Sequence, residues 1–165
     1  MVTILPDFYG PNAEIGFLNP ALRAIEAGRT ANWIGKLDGL RELIYVPDAA
    51  LPIVELARYD IAYGERWNIA GAGAVSPRQL LQMAAAYCGA KSRVRTANRL
   101  ILGMLGLFNA ELREIKELYP LYMNPPILNA AKLRRLIGNY PVTSYEQGIR
   151  KTINRIRENP KLQRG

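Results

Sequence analysis

The chain contains no histidine, one cysteine and only three phenylalanines in 165 residues. Without histidine it lacks the usual general base at neutral pH and the commonest metal ligand, so no metal site is expected. A single thiol, Cys88, excludes an intrachain disulfide and a thiolate metal cluster. Long apolar runs are missing as well. The longest, Leu100 to Phe108, is far short of the roughly 20 residues that cross a bilayer, so no membrane contact is expected. The opening MVTILPDFYG has no basic segment leading into a long apolar stretch. A secretory signal peptide is therefore not expected, and a cytoplasmic location is.

What is present is ordinary for a globular protein: 49% apolar and 22% charged residues, in a length that fits one domain over 1–165. The 22 basic against 14 acidic residues leave a net charge of +8, which favours polyanions. Arg150, Lys151, Arg155, Arg157, Lys161 and Arg164 crowd the C-terminal end. No stacking-aromatic signature accompanies them, so they read as a solvated helix face and no nucleic-acid partner is expected.

The run Val2-Thr3-Ile4-Leu5 reads as a buried strand that hands over to a loop, Leu5 to Asn12, stiffened by Pro6, Gly10 and Pro11. In open α/β sheets ligands sit outside the carboxyl ends of strands, which makes this loop and its carboxylate, Asp7, a candidate pocket wall. Leu18, Ala21, Leu22 and Ile25 then repeat at helical spacing, predicting a helix from Phe17 to Ala27 stopped by Gly28. Short strands are expected around Asn32-Trp33-Ile34 and over Glu42 to Val46, separated by the turn Leu37-Asp38-Gly39. Asp48 looks like the N-cap of a helix that buries Ala50, Ile53, Val54 and Ala57.

Arg66 to Gly71 reads as a second sheet strand, followed by the strongest local signal, the capping box Ser76-Pro77-Arg78-Gln79. That helix carries Leu81, Ala84, Ala85 and Cys88 on one face, which makes Cys88 a core residue, and stops at Gly89. Val94 resumes an extended segment, and Leu100 to Tyr122 is mostly helical, either buried between elements or a substrate lid. Asn129 is placed to cap a short helix bearing Leu133, Leu136 and Ile137. Thr143-Ser144-Tyr145-Glu146 is a further capping box, starting a last helix with Tyr145, Ile149, Ile153 and Ile156 inward.

Four stretches, in this order, carry a family resemblance: Pro6-Asp7-Phe8-Tyr9-Gly10-Pro11, Arg41 to Asp48, Trp67-Asn68-Ile69-Ala70-Gly71, and Val142 to Ile149. Together they resemble the C-terminal half of an extended short-chain dehydrogenase/reductase, the NAD-dependent epimerase/dehydratase family. The resemblance implies an α/β fold made of two strands of a Rossmann-type sheet plus a small mixed substrate-binding lobe. It implies NAD or NADP as the cofactor of the complete fold, and a small-molecule substrate, phosphorylated or nucleotide-linked in several members. Leu5, Pro6, Asp7 and Phe8 would line the nicotinamide. Asp7, Phe17, Leu18 and Arg41 would face the substrate, with Arg41 meeting its phosphates.

Each has a plainer reading: a turn-capping carboxylate for Asp7, a helix-start staple for Phe17 and Leu18, and a strand-end surface charge for Arg41, paired with Glu42. A second phosphate-binding arginine is not recognisable near Asn124-Pro125-Pro126, and many relatives carry arginine where this chain has Ile4. Two family features have no match. The YxxxK pair occurs only as Tyr87 and Lys91, with Gly89 between them at a helix end, and the Gly-rich phosphate turn has no counterpart, since Gly71 and Gly73 read as a turn after the second sheet strand. The expectation is a truncated, catalytically silent lobe that does not bind the dinucleotide alone. It acts with an N-terminal half supplied in trans, or as a non-enzymatic interaction module working through a leftover pocket or an exposed, self-associating sheet edge.

Overall fold

The computed structural model describes residues 1–13, 16–97, 119–120 and 123–159. The expected helix over 100–122 lies largely outside the described residues, as do Lys161 and Arg164 of the basic tail. Within them the elements run β1 (Val2–Ile4), β2 (Asp7–Tyr9), α1 (Leu18–Glu26), β3 (Ala31–Ile34), β4 (Leu43–Tyr45) and α2 (Val46–Leu56). A 3-10 turn (Asp60–Ala62), β5 (Arg66–Asn68), α3 (Pro77–Cys88), β6 (Val94–Ala97), α4 (Ala131–Ile137) and α5 (Tyr145–Glu158) follow.

The strands of the described residues pair in parallel, β1 with β5, β2 with β4, and β3 with β6. One expectation is corrected here. The segment after β1 is not all loop, because Asp7 to Tyr9 forms β2 in register with Leu43 to Tyr45. The two short strands expected on either side of the Leu37-Asp38-Gly39 turn form, and each takes a partner far along the chain, β4 from residues 7–9 and β3 from residues 94–97. An antiparallel bridge from Arg41 to Val75 ties the start of β4 to the segment before α3.

Helix ends follow local chemistry closely. Ser76 Oγ accepts from Gln79 N while Gln79 Oε1 accepts from Ser76 N, completing the capping box, and Pro77 opens α3 where its missing N–H costs nothing. Gly89 ends it in the left-handed region at φ +62°. For α5 the cap is Ser144 rather than Thr143, accepting from Gln147 N. Asn129 Oδ1 accepts from Ala131 N at the start of α4, although the cap position itself falls one residue later than expected, on Ala130.

Helix α2 departs most from expectation. It starts at Val46, so Asp48 sits in its first turn and is not its cap; the Asp48 carboxylate instead accepts the backbone N–H and the hydroxyl of Thr143. The buried stripe is Ala49, Pro52 and Leu56, while Ala50, Val54 and Ala57 face outward. Because α2 is apolar nearly all round, both stripes satisfy helical spacing, and only its tertiary partners choose between them.

Two cores result. The larger gathers Tyr9, Leu18, Leu22, Ile25, Trp33, Leu80, Leu81, Tyr145, Ile149 and Ile153 between α1, α3, α5 and the strands. The smaller packs Ile44, Leu56, Trp67, Ile69, Leu133 and Tyr140 beneath α2 and α4. Two tyrosines clamp the layers through backbone pairs. Tyr140 Oη contacts both Ala70 N (3.1 Å) and Ala70 O (3.0 Å). Tyr145 Oη accepts from Leu43 N (3.0 Å) and reaches Gly73 O (2.6 Å) and Leu43 O (3.2 Å).

Candidate functional site

The candidate site begins where β1 ends. Leu5 is half-buried against the smaller core, Pro6 is buried, and Asp7 and Phe8 are exposed at the start of β2. The turn that follows is held by a residue the sequence reading missed, the buried Asn19 of α1. Its Nδ2 donates to Gly10 O and Ala13 O, both at 2.7 Å, and its Oδ1 accepts from Gly10 N at 3.3 Å. An asparagine inside an apolar helical stripe was the available signal.

Arg41 is brought to Asp7 across 34 residues of sequence: Nη1 donates to Asp7 Oδ2 at 3.4 Å. The arginine side chain is 4% exposed and the aspartate side chain 43%. The guanidinium also lies over the Trp33 ring, 5.1 Å from its centroid, an arrangement that suits a weakly hydrated planar cation. The surface-charge reading of Arg41 is therefore corrected, and so is the turn-cap reading of Asp7. Glu42 is not Arg41's partner, because successive residues along an extended segment point to opposite sides. Glu42 turns inward, 2% exposed, and accepts from Gly71 N (2.9 Å) and Leu128 N (2.8 Å).

Phe17 is half-buried at the N-cap of α1, packed on the larger core, and Leu18 is fully buried within it. Of the proposed substrate-facing residues the fold thus joins Asp7 and Arg41 directly and seats Leu18 in the core. Concavities among the described residues include two that lie elsewhere. One of about 610 Å³ lies between α3 and α5, lined by Met83, Tyr87, Gln147 and Arg150. Another of about 560 Å³ is bordered by Glu42, Gly71, Leu128, Asn129 and Arg134. Neither is lined by Asp7 or Arg41.

The phenols of this region are poor proton-transfer groups. Burial, reinforced by neighbouring Tyr145, Asp48 and Tyr45, pushes Tyr9 far above the ordinary tyrosine range. Burial pushes Tyr145 up to about 12, and raises Tyr45 and Tyr140 as well. All four stay protonated at neutral pH, whereas a catalytic phenolate needs its pKa lowered. Tyr87 donates to Asn154 at the end of α3, a helix-end contact that leaves the Tyr87/Lys91 spacing structural. Burial likewise raises the Cys88 thiol, so it is not a poised nucleophile.

A dinucleotide's phosphates do not fit the Gly71–Gly73 turn. The Gly71 amide is already taken by the Glu42 carboxylate, and a Cβ at Gly71 would collide with Leu43 O, so negative oxygens line the approach. Phosphate cradles need open N–H groups and no facing carboxylate.

No protein-family model matches the sequence, and no curated protein does. Solved structures do match the fold. An epimerase from Methanothermobacter thermautotrophicus superposes with a TM-score of 0.75 at 15% identity, over 98% of this chain and 44% of that one. UDP-glucuronic acid 4-epimerase from Bacillus cereus, in complex with NAD, gives 0.73 at 14% identity over 94% and 44%. dTDP-glucose 4,6-dehydratase from Bacillus anthracis, in complex with NAD, gives 0.71 at 16% identity over 97% and 45%. The chain thus spans less than half the length of the structures it matches. Its fold is that of the C-terminal portion of Rossmann-type, NAD-dependent epimerases and dehydratases, as the sequence resemblance implied.

Proposed function

We propose that this chain, folded as the C-terminal half of an NAD-dependent epimerase or dehydratase, is the substrate lobe of an NAD(P)-dependent enzyme of that lineage. It is catalytically silent by itself and acts in the cytoplasm with a dinucleotide-binding half supplied in trans. One observation carries the reading. In the parallel pair β1–β5, the second edge of β1 is unpaired among the described residues, and Val2 and Ile4 stand exposed beside it. Parallel strands are normally buried on both faces, so an apolar parallel strand with a free edge suits a sheet that continues into another half.

In that assembly Leu5, Pro6, Asp7 and Phe8 form the wall along the nicotinamide, which supplies hydride exchange when bound. Asp7, Phe17 and Arg41 belong to the substrate wall, with Leu18 packed in the core behind it, and that wall takes a small molecule of the phosphorylated or nucleotide-linked kind. This chain's part is to bind and orient that molecule. Proton transfer and phosphate binding to the dinucleotide fall to the other half, since the raised tyrosines and the Glu42-filled glycine turn here suit neither.

The test is co-expression with dinucleotide-binding halves of epimerases and dehydratases, followed by NAD(H) and NADP(H) titration and turnover assays. The chain alone is expected to bind neither cofactor, and the reconstituted pair to bind one and turn over. Saturable dinucleotide binding by the chain alone overturns the substrate-lobe reading. The same open edge supports a second reading, a non-enzymatic module that pairs with another protein or with itself; partner capture independent of nicotinamide would favour it.

A further inference from the structure

Within the proposed substrate wall, and resting on that reading, the Asp7–Arg41 pair has an order to it. The buried member is the cation and the exposed member is the carboxylate, at 4% and 43% side-chain exposure. The Arg41 guanidinium lies against the Trp33 ring, and the Arg41 backbone is pinned by an antiparallel bridge to Val75. Its Nη1 is directed at Asp7 Oδ2, and Asp7 is fixed in turn by the β2–β4 register opposite Leu43. A ligand approaching from solvent therefore meets the Asp7 carboxylate before the guanidinium.

We propose that Asp7 is the ligand-contacting member of this pair, that Arg41 is a positioning residue acting through it, and that the pair admits an uncharged hydroxyl-bearing group while excluding phosphate. A carboxylate has about four lone-pair sites, of which Arg41 Nη1 engages one oxygen, so acceptor capacity remains for hydroxyl donors. A phosphate at the same place meets a like charge at contact range and can reach the buried guanidinium only by displacing Asp7, leaving that carboxylate without its partner. Any phosphate on the same substrate is held elsewhere on the assembled enzyme. Arg41 thus serves to hold the Asp7 carboxylate aimed outward, and does not serve as an anion hook.

Trp33 provides a local reporter, because its indole lies against the Arg41 guanidinium and its Nε1 is buried. The experiment titrates inorganic pyrophosphate into the isotope-labelled full chain at low ionic strength and follows the Trp33 indole resonance. The wild-type chain is expected to show no saturable shift. Asp7→Asn, and Asp7→Ser as a second variant, are expected to gain saturable binding tightened roughly tenfold or more, the scale for removing one half-exposed like charge. Arg41→Gln added to either variant is expected to abolish that gain.

A saturable Trp33 shift in the wild-type chain overturns the proposal, since it means the guanidinium is already open to anions. Folded Asp7→Asn and Asp7→Ser chains that behave as wild type overturn it equally. The titration needs neither a dinucleotide nor a second half. A failed reconstitution would therefore sink the enzyme reading while leaving this result to decide the pair's selectivity.

Discussion

Two buried tyrosines that sit against each other should respond oppositely to loss of their hydroxyls. The rings of Tyr9 and Tyr145 lie 5.9 Å apart, and both belong to the larger core. Tyr145 Oη accepts from Leu43 N and donates toward Gly73 O or Leu43 O, whereas Tyr9 Oη is buried with no hydrogen-bond partner among the described residues. In Tyr145→Phe the Leu43 N–H loses this acceptor, costing about 1–3 kcal/mol, and a donated bond worth about 1 kcal/mol goes with it. Stability should fall by roughly 2–4 kcal/mol, a large fraction of what a domain has. In Tyr9→Phe nothing is lost but an unpaired, desolvated hydroxyl, so the change should be neutral or stabilising by up to about 1 kcal/mol. Urea titrations followed by circular dichroism measure both differences, and a melting scan should separate the variants by about 2–4 °C per kcal/mol. Equal losses in the two variants would refute the argument, because they would mean that Tyr9 Oη has a partner or that the Tyr145 bonds contribute nothing.

Alkaline titration gives a second check. Tyr145 titrates at about 12 in the folded chain against 10.0 ordinarily. The folded state therefore holds a proton that the unfolded state gives up, and stability should be level below about pH 10 and fall as pH rises toward 12. A stability that climbs across that window would contradict the burial of this phenol. Glu42→Ala should cost about 2–5 kcal/mol by chemical denaturation, since the Gly71 and Leu128 amides both lose their acceptor. Glu42→Gln, which keeps one acceptor oxygen, should cost visibly less. Gly71→Ala should destabilise by at least about 1–3 kcal/mol, because its Cβ meets backbone, the Leu43 carbonyl, and cannot be relieved by a rotamer change. Val2→Lys and Ile4→Lys, both at exposed positions of β1, should lower the apparent mass of the isolated chain in light scattering. An unchanged mass would show that association, if it occurs, does not use this edge.

The parts of this fold legible in the sequence are those whose cause is local. The Ser76–Gln79 capping box, the left-handed stop at Gly89 and the inward stripe of α1 and α5 each depend on residues within four positions of one another, and the fold bears them out. What escaped was set at long range. Asp7 becomes strand because residues 43–45 lie beside it, and Asp48 caps a segment 95 residues away. Helix α2 offered two apolar stripes of equal periodicity, and the choice of Ala49, Pro52 and Leu56 was made by the smaller core, including Leu133 and Tyr140 from the far end of the chain.

The candidate site follows the same division, which bears on what it can do. Asp7 could be singled out from its place in the loop after the first strand and Arg41 from the family resemblance, but their pairing, and the order of burial within it, depends on the β2–β4 register and on Trp33 from a third strand. A motif specifies that an arginine stands near a ligand wall; it does not specify whether the guanidinium or its counter-ion faces the ligand. Substituting one carboxylate in front of a buried guanidinium turns an anion hook into an anion barrier without altering the arginine. Two chains of one fold can therefore carry the same arginine and differ in whether they admit an anion, and on the reading proposed above residue 7 is where this chain would make that selection.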